Sequence, residues 1–336
     1  MTRQRAALMS RVSRRVASEG QLTLPAVPEL VDDYTQRCLQ LFAALGRSFS
    51  AEEAAGLRAA LASQLDAAFE VSHRSSIVVR YRAEMGQLLS YWVSPLVWSL
   101  EALYAQWLTN REPPLFGNTA DARVCDLSAE QAEPAACPVL DIGAGTGRNA
   151  LALARRGHPV DALELNASFA AQLQDAARQA GLRMRVINAD LFAARAQLGR
   201  EYGLILASEV TSDFRSVAEL RGLLELACDG LRPGGLLVLN LFLSQPDYQP
   251  DPAAEQFAQQ VYSGFFSRAD LEVACAGLPL ERVSDELVLD YEKARLPADS
   301  WPPTPWYLDW VQGRDVFDTD GAGPIALHWL VWRRSA

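Results

Sequence analysis

Basic side chains other than arginine are nearly missing from this sequence. Among 336 residues there is one lysine, Lys293, and 31 basic residues face 41 acidic ones, which gives a formal net charge of −10. An acidic chain repels a phosphate backbone, so a nucleic-acid partner would require a local basic patch. One arginine-rich stretch precedes Glu19, and it contains Arg3, Arg5, Arg11, Arg14 and Arg15. We interpret residues 1–22 as a basic flexible tail rather than a binding arm or a targeting peptide, and we expect no nucleic-acid partner.

Histidine and cysteine are too few and too scattered to build a metal site. The chain contains His73, His158, His328, Cys38, Cys125, Cys137, Cys228 and Cys275. No two cysteines stand at the spacing of metal ligands, so we expect no structural zinc and no other metal. Isolated thiols fit a reducing compartment, and we expect a cytoplasmic protein.

A long uninterrupted hydrophobic run is also missing. The most apolar window covers residues 85–108, and it contains Gln87, Pro95, Glu101 and Gln106. A membrane-spanning helix rarely carries both a proline and a glutamate. The sequence therefore predicts no membrane span.

Apolar residues at helical spacing fill the segment after the predicted tail. Leu57, Leu61 and Leu65 recur every four residues, and Ser50 with Glu53 has the spacing of a capping box. We predict an N-terminal all-helical cap domain over residues 23–110. Prolines and glycines without apolar periodicity then predict a linker over residues 111–136.

From Pro138 onward, short apolar runs alternate with helical stretches. The runs predicted as strands are 139–142, 160–163, 184–187, 204–207 and 236–242, with two further β-like runs at 286–291 and 325–332. Such alternation is typical of an α/β fold with a parallel sheet and helices on both faces. We assign residues 137–336 to this domain. Within it, residues 293–324 form an insert rich in tryptophan and proline, which we interpret as a candidate lid.

Three glycines, Gly143, Gly145 and Gly147, directly follow the first of these strands. Glycines in this place let the backbone turn tightly and approach a ligand closely. A dinucleotide fingerprint requires its third glycine at the position of Arg148, and a phosphate-binding P-loop requires Gly-Lys-Ser/Thr. Neither is present, so we expect neither NAD nor ATP as a specific ligand.

Two carboxylates accompany the glycine loop. Asp141 ends the strand before the glycines, which disfavours a pyrophosphate and suits a cationic ligand. Glu164 ends the next strand, where a carboxylate can accept both hydroxyls of a ribose.

Residues 138–292 resemble the class I methyltransferases that use S-adenosylmethionine (SAM). The matching segments, in order, are Val139 to Asn149, Glu164, Asn188 to Leu191, Leu204 to Val210, Leu231 to Gly235 and Phe265 to Leu271. Several matches in the right order are far more specific than one glycine loop. The resemblance implies a Rossmann-like, mostly parallel seven-stranded sheet and SAM as the cofactor.

The resemblance also assigns residues to the cofactor, with Glu164 on the ribose and Asp190 on the adenine. The predicted SAM-binding residues are Asp141, Gly143, Ala144, Gly145, Gly147, Arg148, Asn149, Glu164, Leu165, Asp190, Leu191, Ser208 and Glu209. Two alternatives stay open at this point. Arg148 binds the SAM carboxylate or pairs with an acid, and Asp190 contacts adenine or caps the next helix.

The segment after the fourth strand carries the candidate catalytic residues Glu209 and Asp213. Many small-molecule members of the family have histidines there, and this chain has none, which argues against a histidine-based mechanism. Either acid stands where a general base or a cation-orienting group is needed. The alternative is that Glu209 contacts cofactor or backbone and Asp213 caps the following helix. The candidate substrate contacts are Tyr81, Arg82, Trp306 and Trp310.

A helical domain and an aromatic insert would enclose a discrete acceptor and exclude water. We therefore expect methyl transfer to a small molecule by in-line displacement, with the acceptor atom (O, N or S) and the oligomeric state left open. The alternatives are a protein or RNA methyltransferase and a non-catalytic SAM-binding protein. The chain lacks the Asn/Asp-Pro-Pro-Tyr/Phe tetrapeptide and the Pro-Cys pair that resemble signatures of nucleobase and amide methylation.

Overall fold

The computed structural model of the chain describes residues 3–13, 15–85, 88–98, 104 and 115–335. The chain divides into two compact units. The first comprises Met1–Leu103 with Pro250–Val261, and the second comprises Tyr104–Gln249 with Tyr262–Ala336.

The first unit combines helices with a three-stranded antiparallel sheet. Its strands are β1 (Ser18–Pro25), β2 (Ser76–Ala83) and β3 (Leu89–Leu96), and they lie in the order β1-β2-β3. Its helices are Arg3–Ser13, Val31–Ala44, Ala51–Val71 and Pro252–Gln260, with a 3-10 turn at Pro28–Leu30. The core forms where one face of the sheet meets the leucine stripe Leu57, Leu61 and Leu65.

The prediction of an all-helical domain is wrong, although two of its helices are confirmed. The capping box is present, since Ser50 Oγ accepts the Glu53 N–H at 3.2 Å and Glu53 accepts the Ser50 N–H at 2.7 Å. The later part of this predicted helical domain instead contains β2 and β3, and its residues 86–87, 99–103 and 105–110 lie outside the described residues. Pro95 fits β3 because this strand lies at an edge of the sheet, where a missing N–H is tolerated.

Two boundaries also differ from the predictions. Residues 1–22 were predicted as a flexible tail, but Arg3–Ser13 is helical and β1 begins at Ser18. The predicted linker 111–136 contains the helix Ala122–Ala129. Its apolar residues Val124 and Leu127 are buried in the second unit, which a linker would not require.

The second unit is built on a mixed sheet. Its strands are β4 (Val139–Ile142), β5 (Val160–Glu164), β6 (Met184–Asn188), β7 (Tyr202–Ala207), β8 (Leu231–Ser244), β9 (Phe265–Phe266), β10 (Leu280–Leu287) and β11 (Ile325–Arg334). The main path of the sheet runs β6-β5-β4-β7-β8-β11-β10, and the short β9 pairs with β8 as an eighth strand. The strands β4 to β8 pair in parallel, whereas β11 is antiparallel to both of its neighbours. The predicted α/β class is confirmed. The predicted mostly parallel seven-stranded sheet is a mixed sheet of eight strands, seven on its main path and β9 beside them.

Helices cover both faces of this sheet. The helices are Ala122–Ala129, Arg148–Arg155, Ala167–Gln179, Val217–Gly230, Arg268–Cys275, Val288–Arg295 and Tyr307–Trp310. Short 3-10 turns lie at Pro134–Ala136, Ala194–Ala196, Thr211–Asp213 and Ala298–Ser300. Alternate residues of one strand enter different cores: Leu204 and Leu206 pack on one face, and Ile205 and Ala207 on the other. A strand buried on both faces reads as a continuous apolar run, as the sequence of β7 does.

The run 286–291 was predicted to be β-like, but helix Val288–Arg295 begins within it. The predicted insert 293–324 therefore starts inside a helix. It also contributes to the core, because Trp310 is 4% exposed and packs edge-on against Phe242 at 5.3 Å between ring centroids. The Trp310 indole N–H donates to the Tyr262 carbonyl at 2.8 Å. This burial indicates a structural role, and contact of Trp310 with a substrate stays a prediction.

No helix in the described part of the chain is long and apolar enough to cross a membrane.

We expect Trp310→Ala to lower the free energy of unfolding by about 3–5 kcal/mol, because it empties a packed core position. Trp92→Ala is the matched control, since Trp92 is 56% exposed on the first unit and its removal should cost little. Urea denaturation followed by circular dichroism measures both. Equal losses for the two variants would show that Trp310 is not a core residue.

Candidate functional site

The glycine loop joins β4 to helix Arg148–Arg155, and its three glycines have positive φ angles of 69°, 55° and 100°. A Cβ on Gly143 would lie 2.4 Å from Val210 Cγ2, and one on Gly147 would lie 2.4 Å from Leu173 Cδ1. A Cβ on Gly145 would meet only the Phe116 ring, at 3.6 Å. Backbone conformation therefore favours glycine at all three positions, and packing requires it in addition at Gly143 and Gly147. At Gly145 no side chain covers the backbone closely.

The carboxyl end of β5 is hydrogen-bonded to the glycine loop. The N–H groups of Gly143 and Ala144 both donate to the Leu163 carbonyl, at 2.8 and 3.0 Å. Glu164 is 6% exposed, and its Oε2 accepts the Gly145 N–H at 2.7 Å. Its Oε1 accepts the Asn166 N–H at 2.7 Å. Burial raises the pKa of Glu164, and these two bonds hold its carboxylate beside the loop with acceptor capacity to spare.

Asp141 presents a buried acceptor without a partner. Its side chain is 3% exposed, and Oδ2 forms no hydrogen bond with any described residue. Burial raises the pKa of Asp141 to about 8, and the negative charge of Asp121 contributes to this rise. Buried carboxylate oxygens are normally paired, so this atom fits a ligand that brings an N–H donor or a positive charge.

Asp121 connects the loop to the segment before β4, and the sequence analysis missed it. Its Oδ2 accepts Asn149 Nδ2 at 2.8 Å, Ser208 Oγ at 2.7 Å and an Arg148 N–H at 3.2 Å. Its backbone N–H donates to Asn149 Oδ1 at 3.0 Å. Asp121 precedes a helix as N-cap residues do, but its side chain makes no cap, so sequence pattern alone would not have found this role.

Arg148 lies between two carboxylates. Its guanidinium is 3.1 Å from Asp121 Oδ1 and 2.6 Å from Glu209 Oε1, and its side chain is 9% exposed. A further N–H donates to the Phe116 carbonyl at 3.0 Å. Of the two alternatives left by the sequence, this geometry corresponds to pairing with acids, of which Asp121 is buried and Glu209 is partly buried.

Glu209 follows β7 with a φ of 60°, which is unusual for a residue other than glycine. Its N–H donates to Asn240 Oδ1 at 2.7 Å, which stabilises this conformation, and Asn240 was not identified from the sequence. Its carboxylate faces Arg148, and burial raises its pKa. Ser208, Glu209 and Arg148 thus meet beyond the carboxyl ends of β4 and β7.

The predicted adenine-side residues lie after β5 and β6. Asp190 is exposed, and its Oδ1 accepts the N–H groups of Phe192 and Ala193 at 2.9 and 3.1 Å. These bonds close the turn before the 3-10 turn Ala194–Ala196, whose own N-cap is Ala193, so Asp190 does not cap that element as the alternative expected. Contact of Asp190 with adenine stays a prediction. Leu165 is 44% exposed, whereas Leu191 packs partly against the core.

The remaining candidates are less well supported. Asp213 was expected to cap the following helix, but Ser216 is the N-cap of Val217–Gly230 and accepts the Glu219 N–H. Tyr81 and Arg82 lie on β2 of the first unit, where Arg82 pairs with Glu84 at 3.1 Å through two exposed side chains. Contact of Tyr81 and Arg82 with a substrate stays a prediction, as does that of Trp306.

A second buried carboxylate that the sequence did not reveal is Glu292, which is fully buried. It accepts the Ala122 N–H at 2.7 Å, the Arg123 N–H at 3.1 Å and the Trp329 indole N–H at 2.9 Å. Glu292 therefore accepts the backbone N–H groups at the start of helix Ala122–Ala129, which the Asp121 side chain does not cap.

Residues 139–235 match the protein family described as a methyltransferase domain. This match lies within the second unit, covers less than a third of the chain, and supports SAM-dependent methyl transfer as its activity. No curated protein matches the chain significantly. Solved structures similar to it include a geranyl diphosphate C-methyltransferase from Streptomyces coelicolor A3(2), with 18% identity, 63% of this chain and 78% of that chain covered, and a TM-score of 0.49.

Another similar structure is a protein provisionally named a sarcosine dimethylglycine methyltransferase, from Galdieria sulphuraria. It has 16% identity, covers 64% of this chain and 85% of its own, and gives a TM-score of 0.49. At this identity and TM-score, neither structure indicates an acceptor for the present protein.

Asp141 should make stability depend on pH. Because its pKa is raised to about 8, the folded protein holds the proton more tightly than the unfolded chain. The stabilisation that the Asp141 proton contributes is therefore fully present below about pH 4, and it is lost as the pH rises towards 8. In SAM-free protein, Asp141→Asn should reduce the fall in unfolding free energy between pH 5 and 8.5 by on the order of 1 kcal/mol or more. Urea titrations at several pH values measure this, with exposed Asp299→Asn as the control. Parallel pH curves for native protein and Asp141→Asn would contradict the prediction.

Removing the charge of Asp121 should leave the Arg148 guanidinium partly unpaired in a buried place. We expect Asp121→Asn to cost on the order of 3 kcal/mol of unfolding free energy. Asp126→Asn, in the helix that follows Asp121, is the control, because its ion pair with Arg295 is about half exposed and should be worth less than about 1 kcal/mol. The amide oxygen of the variant can still accept the Tyr291 hydroxyl. Similar losses of unfolding free energy for the two variants would mean that the Arg148–Asp121 ion pair contributes no more to stability than an exposed pair does.

Proposed function

We propose that this protein is an enzyme that transfers the methyl group of SAM to a small-molecule acceptor by in-line displacement, with the donor held at the glycine loop. The observation that carries the proposal is the 2.7 Å hydrogen bond from the Gly145 N–H to Glu164 Oε2. It places a carboxylate able to accept ribose hydroxyls directly beside the bare backbone of the loop.

The residues present fit SAM in their chemistry. SAM supplies a sulfonium that activates the methyl group, and it carries an ammonium group as well. The unpartnered Oδ2 of Asp141 would accept that cationic end, and Glu164 would accept the ribose hydroxyls. Leu165, Asp190 and Leu191 would border the adenine at the ends of the neighbouring strands. A guanidinium already held by Asp121 and Glu209 would not be free to clamp the SAM carboxylate.

The protein's own contribution is alignment and exclusion of water. Glu209 is the candidate to orient the acceptor or take its proton, because it lies after β7 with a carboxylate fixed by Arg148. Its 2.6 Å contact with Arg148 favours the ionised form, while burial opposes it. Asp213, in the 3-10 turn that follows, is a second candidate for the same role.

A small-molecule acceptor is preferred over a protein or an RNA because the chain is acidic, with a net charge of −10. A non-catalytic SAM-binding protein remains the alternative of a different class. Incubation with methyl-labelled SAM and separate small-molecule, protein and RNA fractions distinguishes the three. We expect label in the small-molecule fraction. Label only in protein or RNA would overturn the proposed acceptor. SAM binding without any methyl transfer would overturn the proposal that the protein is an enzyme.

Gly145→Ala should weaken SAM binding at least ~10-fold, because the new methyl group covers the backbone that the ligand approaches. Gly181→Ala is the control for backbone strain. Gly181 has a similar φ of 62°, an added Cβ there would have no atom within 4 Å, and the residue lies after helix Ala167–Gln179. Calorimetric titration with SAM measures both variants. Unchanged affinity in folded Gly145→Ala protein would refute the placement of SAM at this loop.

A further inference from the structure

Glu292 is a fully buried carboxylate to which the proposed methyl transfer gives no role. Its Oε2 accepts the Ala122 N–H at 2.7 Å, and its Oε1 accepts the Arg123 N–H at 3.1 Å. The Trp329 indole N–H also donates to Oε1, at 2.9 Å. Both oxygens of Glu292 are thus engaged as acceptors, and two of the three donors are backbone groups at the start of helix Ala122–Ala129.

The side chain of Arg123 attaches the same helix start to the segment that carries Glu292. One of its N–H groups donates to the Tyr291 hydroxyl at 3.0 Å, and another donates to Ser284 Oγ. Its guanidinium also lies 2.9 Å from Glu286 Oε2. Backbone and side-chain contacts therefore both hold the first residues of this helix in one place.

Asp121 directly precedes this helix start, and its carboxylate is the link to the glycine loop. Its Oδ2 accepts Asn149 Nδ2 at 2.8 Å and Ser208 Oγ at 2.7 Å. Its Oδ1 lies 3.1 Å from a guanidinium nitrogen of Arg148, and the same nitrogen is 2.6 Å from Glu209 Oε1. Because hydrogen bonds depend on distance and angle, a displacement of Asp121 would alter all of these contacts together.

We propose that Glu292 is a positioning residue for the donor site. By holding the first two N–H groups of helix Ala122–Ala129 it sets the place of Asp121, and through Asp121 it sets the places of Arg148 and Asn149 beside the glycine loop. This inference rests on the proposed function, because it concerns the site at which that function places SAM. Glu292 acts through Asp121 and not by contact with SAM.

A purely structural carboxylate would behave differently when it is removed. Its loss would lower the free energy of unfolding, because buried donors would lose their acceptor, and it would leave the ligand affinity of the folded protein unchanged. Loss of a positioning residue changes that affinity in folded protein. The change is transmitted only while Asp121 is present, so the effects of the two residues should not be additive.

Glu292→Gln provides the first test. Its amide would turn an NH2 group towards N–H donors in place of one acceptor oxygen, which displaces the start of the helix. We expect the affinity of the full chain for S-adenosylhomocysteine, the demethylated product of SAM, to fall at least about five-fold in calorimetric titrations.

Glu292→Asp is the second variant, and it keeps the proposal testable if the first does not fold. It retains the charge but withdraws both oxygens by one methylene group, so it should weaken binding in the same direction. S-adenosylhomocysteine affinity within about two-fold of the native value in a folded Glu292 variant would overturn the proposal.

Leu127→Ala is the matched control for stability. Leu127 lies in the same helix, is 4% exposed and packs in the core of the second unit. Its truncation should lower the melting temperature at least as much as Glu292→Gln does, yet leave S-adenosylhomocysteine affinity within about two-fold. If the control weakens binding as much as Glu292→Gln, affinity follows stability and the proposal fails.

A double-mutant cycle tests the route through Asp121. Asp121→Asn should weaken S-adenosylhomocysteine binding by itself, and adding Glu292→Gln should weaken it by less than about two-fold more. Losses that multiply in the double variant would show that Glu292 acts independently of Asp121 and would overturn the proposed route. If native protein fails to bind S-adenosylhomocysteine, the proposed function fails with it. Normal binding by native protein and unchanged binding by the Glu292 variants removes only the present inference.

Discussion

The ion pairs of Arg148 with Asp121 and Glu209 are the interaction on which the site depends. They join three stretches of chain that are far apart in sequence: the segment before β4, the start of the helix after the glycine loop, and the exit from β7. Burying a guanidinium and carboxylates removes their hydration, and their mutual attraction compensates this cost only when their geometry is good. These charges therefore favour one arrangement of the three segments. The additional bonds from Asn149 and Ser208 to Asp121 make that arrangement specific.

The ion pairs among Arg148, Asp121 and Glu209 account for several other features of the structure. Glu209 adopts a positive φ to reach Arg148, and Asn240 bonds its N–H there. Because the side chain of Asp121 is engaged with Arg148, the helix that follows it needs another acceptor, which Glu292 supplies from helix Val288–Arg295. Glu292 in turn receives the indole N–H of Trp329 on β11. A chain of polar contacts therefore runs from the glycine loop to the antiparallel strand of the sheet.

The parts of this molecule that sequence could predict are those in which the residue type dictates local geometry. Glycines at 143, 145 and 147 all adopt positive φ, and Ser50 with Glu53 forms its capping box, because each feature depends on neighbours a few residues away. The β2 segment was misjudged because its short apolar run, Ile77 to Val79, shows no periodicity that separates a strand from a buried helix, and pairing with β1 and β3 decides between them. Asp121 and Glu292 escaped notice because their partners lie 27 to 170 residues away.

The place of β11 in the sheet has a consequence for how the protein folds as it is synthesised. β10 leaves the ribosome before β11, yet in the finished sheet β11 lies between β8 and β10. The edge of β8 that β11 later covers must therefore stay unpaired while about eighty residues are added, from Ser244 to Ile325. An unpaired strand edge invites association with other chains. The 10 residues of β11, including the buried Trp329 and Trp332, close that edge in one step. The second unit thus completes its core late, by inserting a strand between two others rather than by extending the sheet at its border.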